Sequence, residues 1–586
     1  MFLKKSTTTI KGKTYNHYKV VESYRVDGKV KHRILFSLGT LTDEQAERLR
    51  MALSAHSNPE VIVSKAEDIV VTKHLAYLDV AVLFQLWQEW GFHKFFNEDR
   101  WVKAMVFNRC INPVAKINMK DWVSETVLPA YLDIQPNQLD AYDVYRELDR
   151  LSKRESELQS FIFQKLKSLY PDLADVFFYD ITSTYMEGNQ CVISKLGYSR
   201  DHRPDCEQIV IALMITPEGY PFYWRVLEGN TQDITTVQDL VNEVKTRYGI
   251  QDCTMVFDRG MVSSDNLLTL EGQEWKYVSA MDRDEIATSD FFSEAVPEPA
   301  TPDDWEQIMA MREFIPFDEN GLLYYREFEW GNRRHILSFD VARFLDEQKM
   351  LEQRIQQVLG WVQQKNQALA QAKKARNKEK LKREIQVLLK RKRVKKFLNV
   401  HIEPHTIALT NKKGEQRTVE TFQLSSVIDQ TPLQKEQRLH GITCFITNLP
   451  KDHSSARDII QWYRRKNKVE EAFHEIKSHL QLRPIHLVRE QRVKAHVTIC
   501  MLAYFFYNDI ERRLKEKGVA ISPMTMLNLL TKCQVNKLKF KNNNQVKLSI
   551  TEPSDRQKEL LQAIGCESVI NPKLVKQVLK KVENWL

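Results

Sequence analysis

A mixed α/β fold is what this chain predicts, and three observations predict it. Between residues 174 and 282, short apolar runs alternate with helical stretches in the order βββαβαβ. Two acids stand on those strands, Asp180 inside VFFYDITSTYMEG and Asp258 at the end of TMVFDRGM. An acid inside a buried strand is costly unless it is paired or binds metal. The third observation is the run QWYRRKNKVEEAFHEIKSHL at 461–480. Read as one helix at about 100° per residue, it places Tyr463, Lys466, Glu470 and Lys477 within an arc of roughly 60°. Trp462, Val469, Phe473, Ile476 and Leu480 form a separate apolar stripe. An amphipathic helix needs only that stripe; the second face carries a carboxylate, two ammonium groups and a phenol.

In chain order, residues 1–40 alternate like strands around the hairpin signal Asp27-Gly28. Residues 43–170 read as helical, with helices near Asp43–Ser54, Ala76–Trp90, Val102–Phe107 and Glu147–Lys167. Asn112-Pro113 and Leu128-Pro129 punctuate them. Strands follow at 176–186, 207–216, 221–227, 253–258 and 277–281, with helices near 234–247 and 263–271. Acids on the first and fourth strands of that order predict an RNase H-like catalytic core. From 290 to 435 an insertion combines strand-like pieces (GLLYYREFEW, RRHILSFD, TVETFQLS) with a long polar helical segment over 341–396, a hairpin or a single helix. Within it, Lys373–Lys396 holds thirteen Lys/Arg against two Glu. That block is either a solvated helix face or an arm that tracks phosphates. The strand GITCFITNLP comes next, then the Glu470 helix, capped by Ser454 or Ser455 with Asp458 near its third position. The chain therefore divides into a β-hairpin module (1–60), a helical region (61–170), the first part of the core (171–289), the insertion (290–435), the last strand and Glu helix (436–490) and a C-terminal helical region (491–586).

Composition sets bounds. A chain of 586 residues exceeds one compact core, and 42% hydrophobic residues exclude a disordered protein. A net charge of +9 fits a nucleic-acid partner, though many proteins with other roles are as basic. The eight cysteines form no CxxC pair, which argues against zinc ribbons and a disulfide framework and for reduced cytosolic thiols. The N-terminus MFLKKSTTTIKGKTYN has no apolar signal-peptide core. The apolar run 497–507 is about half the ~20 residues of a membrane span. A cytoplasmic protein without membrane contact is expected.

Two Asp and one Glu, from two strands and a helix, suit Mg²⁺ or Mn²⁺, which leave positions for water and phosphate oxygen. Two such ions about 3.5–4 Å apart activate an attacking oxygen and stabilise the leaving one at phosphorus. Lys466 and Lys477 can neutralise phosphate oxygens, and Tyr463 can donate to a phosphate or stack on a base. Spacing alone has no force among 77 acids; the strand, strand-end and helix settings carry the assignment. Asp233 stands directly before a helix, where an acid is more often an N-cap than a ligand. His474 and His496 read as packing or surface residues. The loop GYSRDHRPD, with Arg200 and Arg203, lines a DNA path or forms a solvated hairpin.

At these residues the sequence resembles the DDE transposases of bacterial insertion sequences, in the cut-and-paste group marked by Tyr-x2-Arg-x3-Glu-x6-Lys. Tyr463, Lys466, Glu470 and Lys477 reproduce that spacing, with Lys466 in place of the usual Arg. Charge is kept there while the planar fork is lost, and Arg464 and Arg465 stand beside it. YDITSTYMEG, FDRGM, GYSRDHRPD, EGNTQD and KSHLQLRPIHLVREQRVKAHV resemble the family too, and the likeness runs from the N-terminus to about residue 510. It implies Asp180, Asp258 and Glu470 as the metal-binding triad, and terminal inverted repeats and target DNA as partners. A homodimer in the DNA complex follows from it as well, nucleoid-associated when bound. DNA contacts are expected from Tyr463, Lys466, Lys477, Arg464, Arg465, Arg259, Arg200 and Arg203. End recognition is expected within the N-terminal 170 residues, with the basic helix of the insertion as a second candidate. In relatives the Tyr, Arg and Lys positions touch transposon-end phosphates and aid a hairpin step. The alternatives are an RNase H-like metal-dependent nuclease that does not join ends, and a silent DNA-binding protein derived from a transposase.

Overall fold

The computed structural model describes residues 1–586 except 57, 59–60, 98, 135–139, 171–175, 233–235, 251–252, 290–291, 293–312, 411–413, 415, 542–543 and 586. Two compact units result: Met1–Gln85 with Lys120–Leu139 and Thr525–Leu586, and Leu86–Met119 with Asp140–Met524.

The first unit opens with an antiparallel sheet of β1 (Phe2–Ile10), β2 (Lys13–Val26) and β3 (Lys29–Thr40). Asp27 (φ 49°) and Gly28 (φ 77°) make the expected hairpin turn, both with the positive φ that a two-residue type I′ turn requires. Lys11 and Gly12 repeat those angles and create β1, which the sequence pattern had not separated from β2. The helix Asp43–Ala55 starts on a capping box between Thr42 and Gln45. Strand β4 (Ile69–Ala76) lies further along.

A nine-stranded mixed sheet organises the second unit. Its first five strands are β5 (Val176–Tyr185), β6 (Gln208–Ile215), β7 (Pro221–Glu228), β8 (Thr254–Phe257) and β9 (Lys276–Ala280). Helix α1 (Thr236–Tyr248) precedes β8 and α2 (Ser264–Gly272) precedes β9. Then come β10 (Ile315–Pro316), β11 (Leu323–Trp330), β12 (Arg333–Asp340), the helices α3 (Val341–Ala370) and α4 (Lys378–Arg391), the hairpin β13 (Leu398–Thr410) and β14 (Gln416–Ile428), and β15 (Ile442–Thr447). The sheet order is β10-β11-β12-β15-β9-β8-β5-β6-β7. The pairs β5–β8 and β8–β9 are parallel and the others antiparallel. Central β5 is buried along nearly its whole length, which is why its sequence is apolar without alternation.

The region read as a β-plus-helix insertion divides in a way its sequence does not show. Strands β11 and β12 join the main sheet, because β12 pairs with β15 from Arg334 opposite Thr447 to Phe339 opposite Ile442. Among the described residues, α3, α4, the β13–β14 hairpin and the short helix that starts at Gln430 stand outside that sheet. The polar segment 341–396 is a helical hairpin rather than one helix. Leu381, Ile385, Leu388 and Leu389 of α4 share a core with Leu351, Val358, Val362 and Leu369 of α3, burying a stripe that a single helix would leave wet. The Asn377 side chain caps the restart by accepting from the Lys380 N–H at 3.0 Å.

Helices α5 (Ala456–Arg465), α6 (Asn467–Lys477) and α7 (Glu490–Glu516) complete the second unit. Back in the first unit, β16 (Gln534–Phe540) and β17 (Val546–Ile550) form a hairpin whose first strand pairs with β4. The C-terminal region is therefore not wholly helical; VNKLKF and VKLSI alternate with lysines and give a weak strand signal. The expected helix over Glu147–Lys167 is two helices, Ala141–Leu151 and Glu155–Leu169, separated by a 3₁₀ turn at Ser152–Arg154.

Candidate active site

Strand register explains why two acids 78 residues apart (258 − 180) stand together. The parallel pairing of β5 with β8 ends at Tyr179 opposite Phe257. Asp180 and Asp258 are the next residues on each strand, so they are neighbours on one sheet face, about 4.8 Å apart by strand spacing. Asp180 still pairs with Leu213 on its other side, while Asp258 leaves the ladder and begins the 3₁₀ turn Arg259–Met261 without capping it. Helix α6 packs on β5 through its apolar stripe, with Val469, Phe473 and Ile476 buried. That brings Glu470 to the same cavity, of about 480 Å³, whose wall includes Asp180, Asp258, Glu470, Lys477, Arg200 and Asp201.

The helix read as continuous from 461 to 480 is two helices, and the junction is Lys466. Helix α5 starts on a capping box of Ser455 and Asp458, as expected, and ends at Arg465. At the junction the Lys466 side chain turns inward with 3% exposure. Its ammonium donates to Glu470 Oε1 at 3.0 Å and lies 3.5 Å from Asp258 Oδ1. Burial lowers its pKa, but Asp258, Asp180 and Glu470 together outweigh that and raise it. The Tyr463 hydroxyl donates to Asp258 Oδ1 at 3.2 Å, and its ring packs on Phe445 at a centroid distance of 5.0 Å. Burial pushes that phenol up, and Asp258 adds to the effect.

Asp180 accepts from its neighbour's Ile181 N–H at 2.8 Å. Burial pushes its carboxyl up to about 7; Lys466 and that N–H pull it down, while Asp258 and Glu470 push it higher. A raised acid beside two other acids is a common signature of a site built to hold positive charge.

Lys477 is placed differently from the sequence expectation of a phosphate-facing amine. It is buried, and its ammonium donates to Thr182 Oγ1 (2.7 Å), the Ser183 carbonyl (2.6 Å) and Asp201 Oδ1 (2.9 Å). Burial lowers its pKa, Asp201 opposes that, and Arg483 and Arg200 reinforce it. Asp201 is 3% exposed and also pairs with Arg483. Sequence reading singled out GYSRDHRPD for its arginines and missed that its aspartate is the group drawn inward. The signal available was the alternation of one acid between Arg200 and Arg203.

The remaining candidates divide. Arg200 lines the cavity. Arg203 does not; it pairs with Asp205 at 2.8 Å and lies 5.0 Å from the Tyr185 ring centroid. Arg464 is exposed and pairs with Asp340 at 3.3 Å, and Arg465 and Arg259 are exposed. His474 is exposed on the cavity wall, and buried His496 meets the Leu482 carbonyl at 3.1 Å. Asp233 lies outside the described residues.

The three carboxylates offer an all-oxygen donor set, which suits a hard divalent cation. As they stand, no three Asp, Glu, His or Cys side chains among the described residues close on a single ion. The Lys466 ammonium is the stand-in: a tethered cation touching two of the three acids. Described helices include none long and apolar enough to cross a membrane, and none of the eight cysteines, all of them among the described residues, is in a disulfide.

Residues 3–61 match the family model of the IS1634 family transposase N-terminal domain, and residues 339–506 match the transposase DDE domain. The second match contains Tyr463, Lys466, Glu470 and Lys477 but neither aspartate. Together the two matches support an insertion-sequence DDE transposase. No curated protein matches the chain. Among solved structures, a piggyBac transposase synaptic complex with hairpin DNA is similar at 9% identity, over 83% of this chain and 76% of that one, with a TM-score of 0.32. A pre-cleavage Mos1 transpososome is similar at 12% identity, over 42% of this chain and 69% of that one, with a TM-score of 0.13. The Mos1 paired-end complex with left transposon end gives 13% identity, 47% and 75% coverage, and a TM-score of 0.14. At such scores neither fold nor function follows from the structural likeness.

Proposed function

We propose that this protein is a DNA transposase that cuts the terminal inverted repeats of an insertion sequence and joins the freed 3′ ends to target DNA. One observation carries the reading: Asp180, Asp258 and Glu470, far apart in sequence, line one cavity, and the Lys466 ammonium bridges the last two. The strand order β7-β6-β5-β8-β9, antiparallel on one side of β5 and parallel on the other, supports an RNase H-like core.

In this reading the three acids hold Mg²⁺ or Mn²⁺, two ions in all, which would activate the attacking oxygen and stabilise the leaving one. The chain's own groups do the rest. Water attacks the phosphorus at the element's end, the P–O3′ bond breaks, and the 3′-oxygen leaves as a hydroxyl. That hydroxyl then attacks a target phosphodiester, whose own 3′-oxygen departs. Lys466, released from Glu470 and Asp258, neutralises a phosphate oxygen in the cavity, and Arg200 faces the same space. Tyr463 keeps Asp258 oriented. Lys477, through Thr182, Ser183 and Asp201, ties α6 to β5 and so sets the position of Glu470. Two copies of the chain, one per DNA end, would act together on bacterial DNA in the cytoplasm.

Purified full-length protein, a labelled inverted-repeat end, a target plasmid and Mg²⁺ test the proposal. Cleavage with joining is expected, and Asp180→Asn should abolish both while end binding stays within about twofold. Cleavage without joining would instead identify a nuclease, and unimpaired cleavage by Asp180→Asn would remove the assigned site.

A further inference from the structure

A second cavity of about 420 Å³ lies between the end of the helix Arg100–Ile111, the segment 114–117 and the loop 481–487. Three basic side chains in its wall are buried. Arg109, Lys116 and His496 are 6%, 7% and 5% exposed. Among the described residues, Lys116 Nζ, Arg109 Nε and His496 Nδ1 have no hydrogen-bond partner. The rest of the Arg109 guanidinium donates to the Gln481 and Val114 carbonyls, each at 3.2 Å. The segment is built to hold this shape: Asn108 Nδ2 donates to the Asn112 carbonyl at 2.7 Å, and the Val114 N–H donates to Asn108 Oδ1 at 3.1 Å.

No carboxylate among the described residues acts on any of the three. Burial lowers the Lys116 and His496 pKa values far below the ordinary range and pulls Arg109 down. Arg109 adds to this for Lys116, and Lys116 and Arg109 add to it for His496; Cys500 opposes it for Lys116 and Arg109, and the Leu482 carbonyl opposes it for His496. A buried ammonium without a partner is one of the most costly groups a fold can carry, and it is relieved by neutralisation or by an anion. Lys116 Nζ and Arg109 Nε are unpartnered donors, and His496 Nδ1 becomes a third once a bound anion draws a proton onto the ring, whose Nε2–H already serves the Leu482 carbonyl. They match a tetrahedral oxyanion with several acceptor oxygens and more than one charge. Arg483 and His486 complete the wall, and Arg483 also borders the acid-lined cavity.

We propose that this cavity is a binding site for a phosphate group, held by Lys116, Arg109 and His496. Two sources share that chemistry: a backbone phosphate of a DNA strand, and free phosphate or a phosphate ester. The site does not depend on the transposase reading, and its failure would leave that reading untouched.

The test uses full-length protein at constant ionic strength in chloride, titrated with inorganic phosphate and followed by thermal melting and by ³¹P line broadening. The wild type should show a saturable rise in Tm and broadening of the phosphate line. Lys116→Met, which keeps length and removes the ammonium, should bind phosphate about tenfold or more weakly. It should also melt no lower than the wild type without phosphate. Absence of any phosphate effect on the wild type would overturn the proposal, as would a Lys116→Met protein with an undiminished response. His496→Gln should weaken the phosphate response in the same direction if Lys116→Met does not fold, and an undiminished response there also overturns it. A labelled DNA duplex separates the sources. Competition by phosphate, lost in Lys116→Met, assigns the backbone; DNA affinity indifferent to both assigns the free anion.

Discussion

Lys466 is the residue on which the site turns. At the junction of two helices, its ammonium occupies the space that a divalent cation would claim between Glu470 and Asp258. A unit charge about 4 Å from another is worth up to roughly 4 kcal/mol at the effective dielectric of a partly exposed site, so its removal should be felt. Lys466→Met is expected to bind Mn²⁺ about tenfold more tightly without DNA, read by electron paramagnetic resonance, and yet to cut DNA poorly. Unchanged or weaker Mn²⁺ binding would show that the ammonium does not compete with the ion. Lys477 makes the opposite case. Its partners are Thr182, Ser183 and Asp201, all internal, so Lys477→Met leaves Asp201 buried with Arg483 as its remaining cation. A loss of about 3 kcal/mol is expected in denaturant melts, near the lower end of what breaking a buried pair costs. A phosphate-contacting role without structural weight would instead show normal stability and weakened DNA binding. The sequence displays both lysines on one helical face; it does not show that one points at the acids and the other into the fold. Helical periodicity assumes a straight helix, and the break at 466 removes that assumption.

Among the elements, β5 and β8 were legible because their chemistry is extreme: unbroken apolar runs, each with one acid. Their register, which makes Asp180 and Asp258 neighbours, was not, since residue order on a strand carries no record of its partner. The same limit hid the joining of β12 to β15, strands separated by three helices and a hairpin. In α3 and α4 the lysine and arginine density masked the buried leucines that fold the segment back on itself. A buried acid also marks the helix that begins at Leu78. Asp79 is 0% exposed, accepts from the Thr531 hydroxyl at 2.8 Å and the Val80 N–H at 2.8 Å, and burial pushes it up to about 6 against those two bonds. Because folding raises this pKa, the native state binds the proton more tightly than the unfolded chain. The group's contribution is intact below about pH 4 and is lost as pH rises through about 6, a loss of up to about 3 kcal/mol. Asp79→Asn is therefore expected to melt above the wild type at pH 8, with the gap closing by pH 4. A gap independent of pH would show that the carboxyl does not titrate with folding.

Over the whole molecule, the densest basic segment and the candidate acids fall on different elements. Much of the basic excess sits in Lys373–Lys396, where every Lys and Arg except half-buried Lys392 is exposed, consistent with either solvated cations or a phosphate-tracking arm. The acids of the site stand instead on β5, at the end of β8 and on α6. The composition showed a basic protein able to build cores, and the motifs showed which acids to watch. Neither could show that an ammonium stands among those acids. The central claim, that Asp180, Asp258 and Glu470 share a divalent cation, is tested most directly by replacing Mg²⁺ with Fe²⁺ and starting hydroxyl-radical cleavage of the polypeptide with ascorbate and peroxide in the presence of an end duplex. Cuts clustered beside residues 180, 258 and 470, and lost in Asp180→Asn, are expected. Cuts elsewhere, or cuts at only one of the three positions, would contradict the shared site.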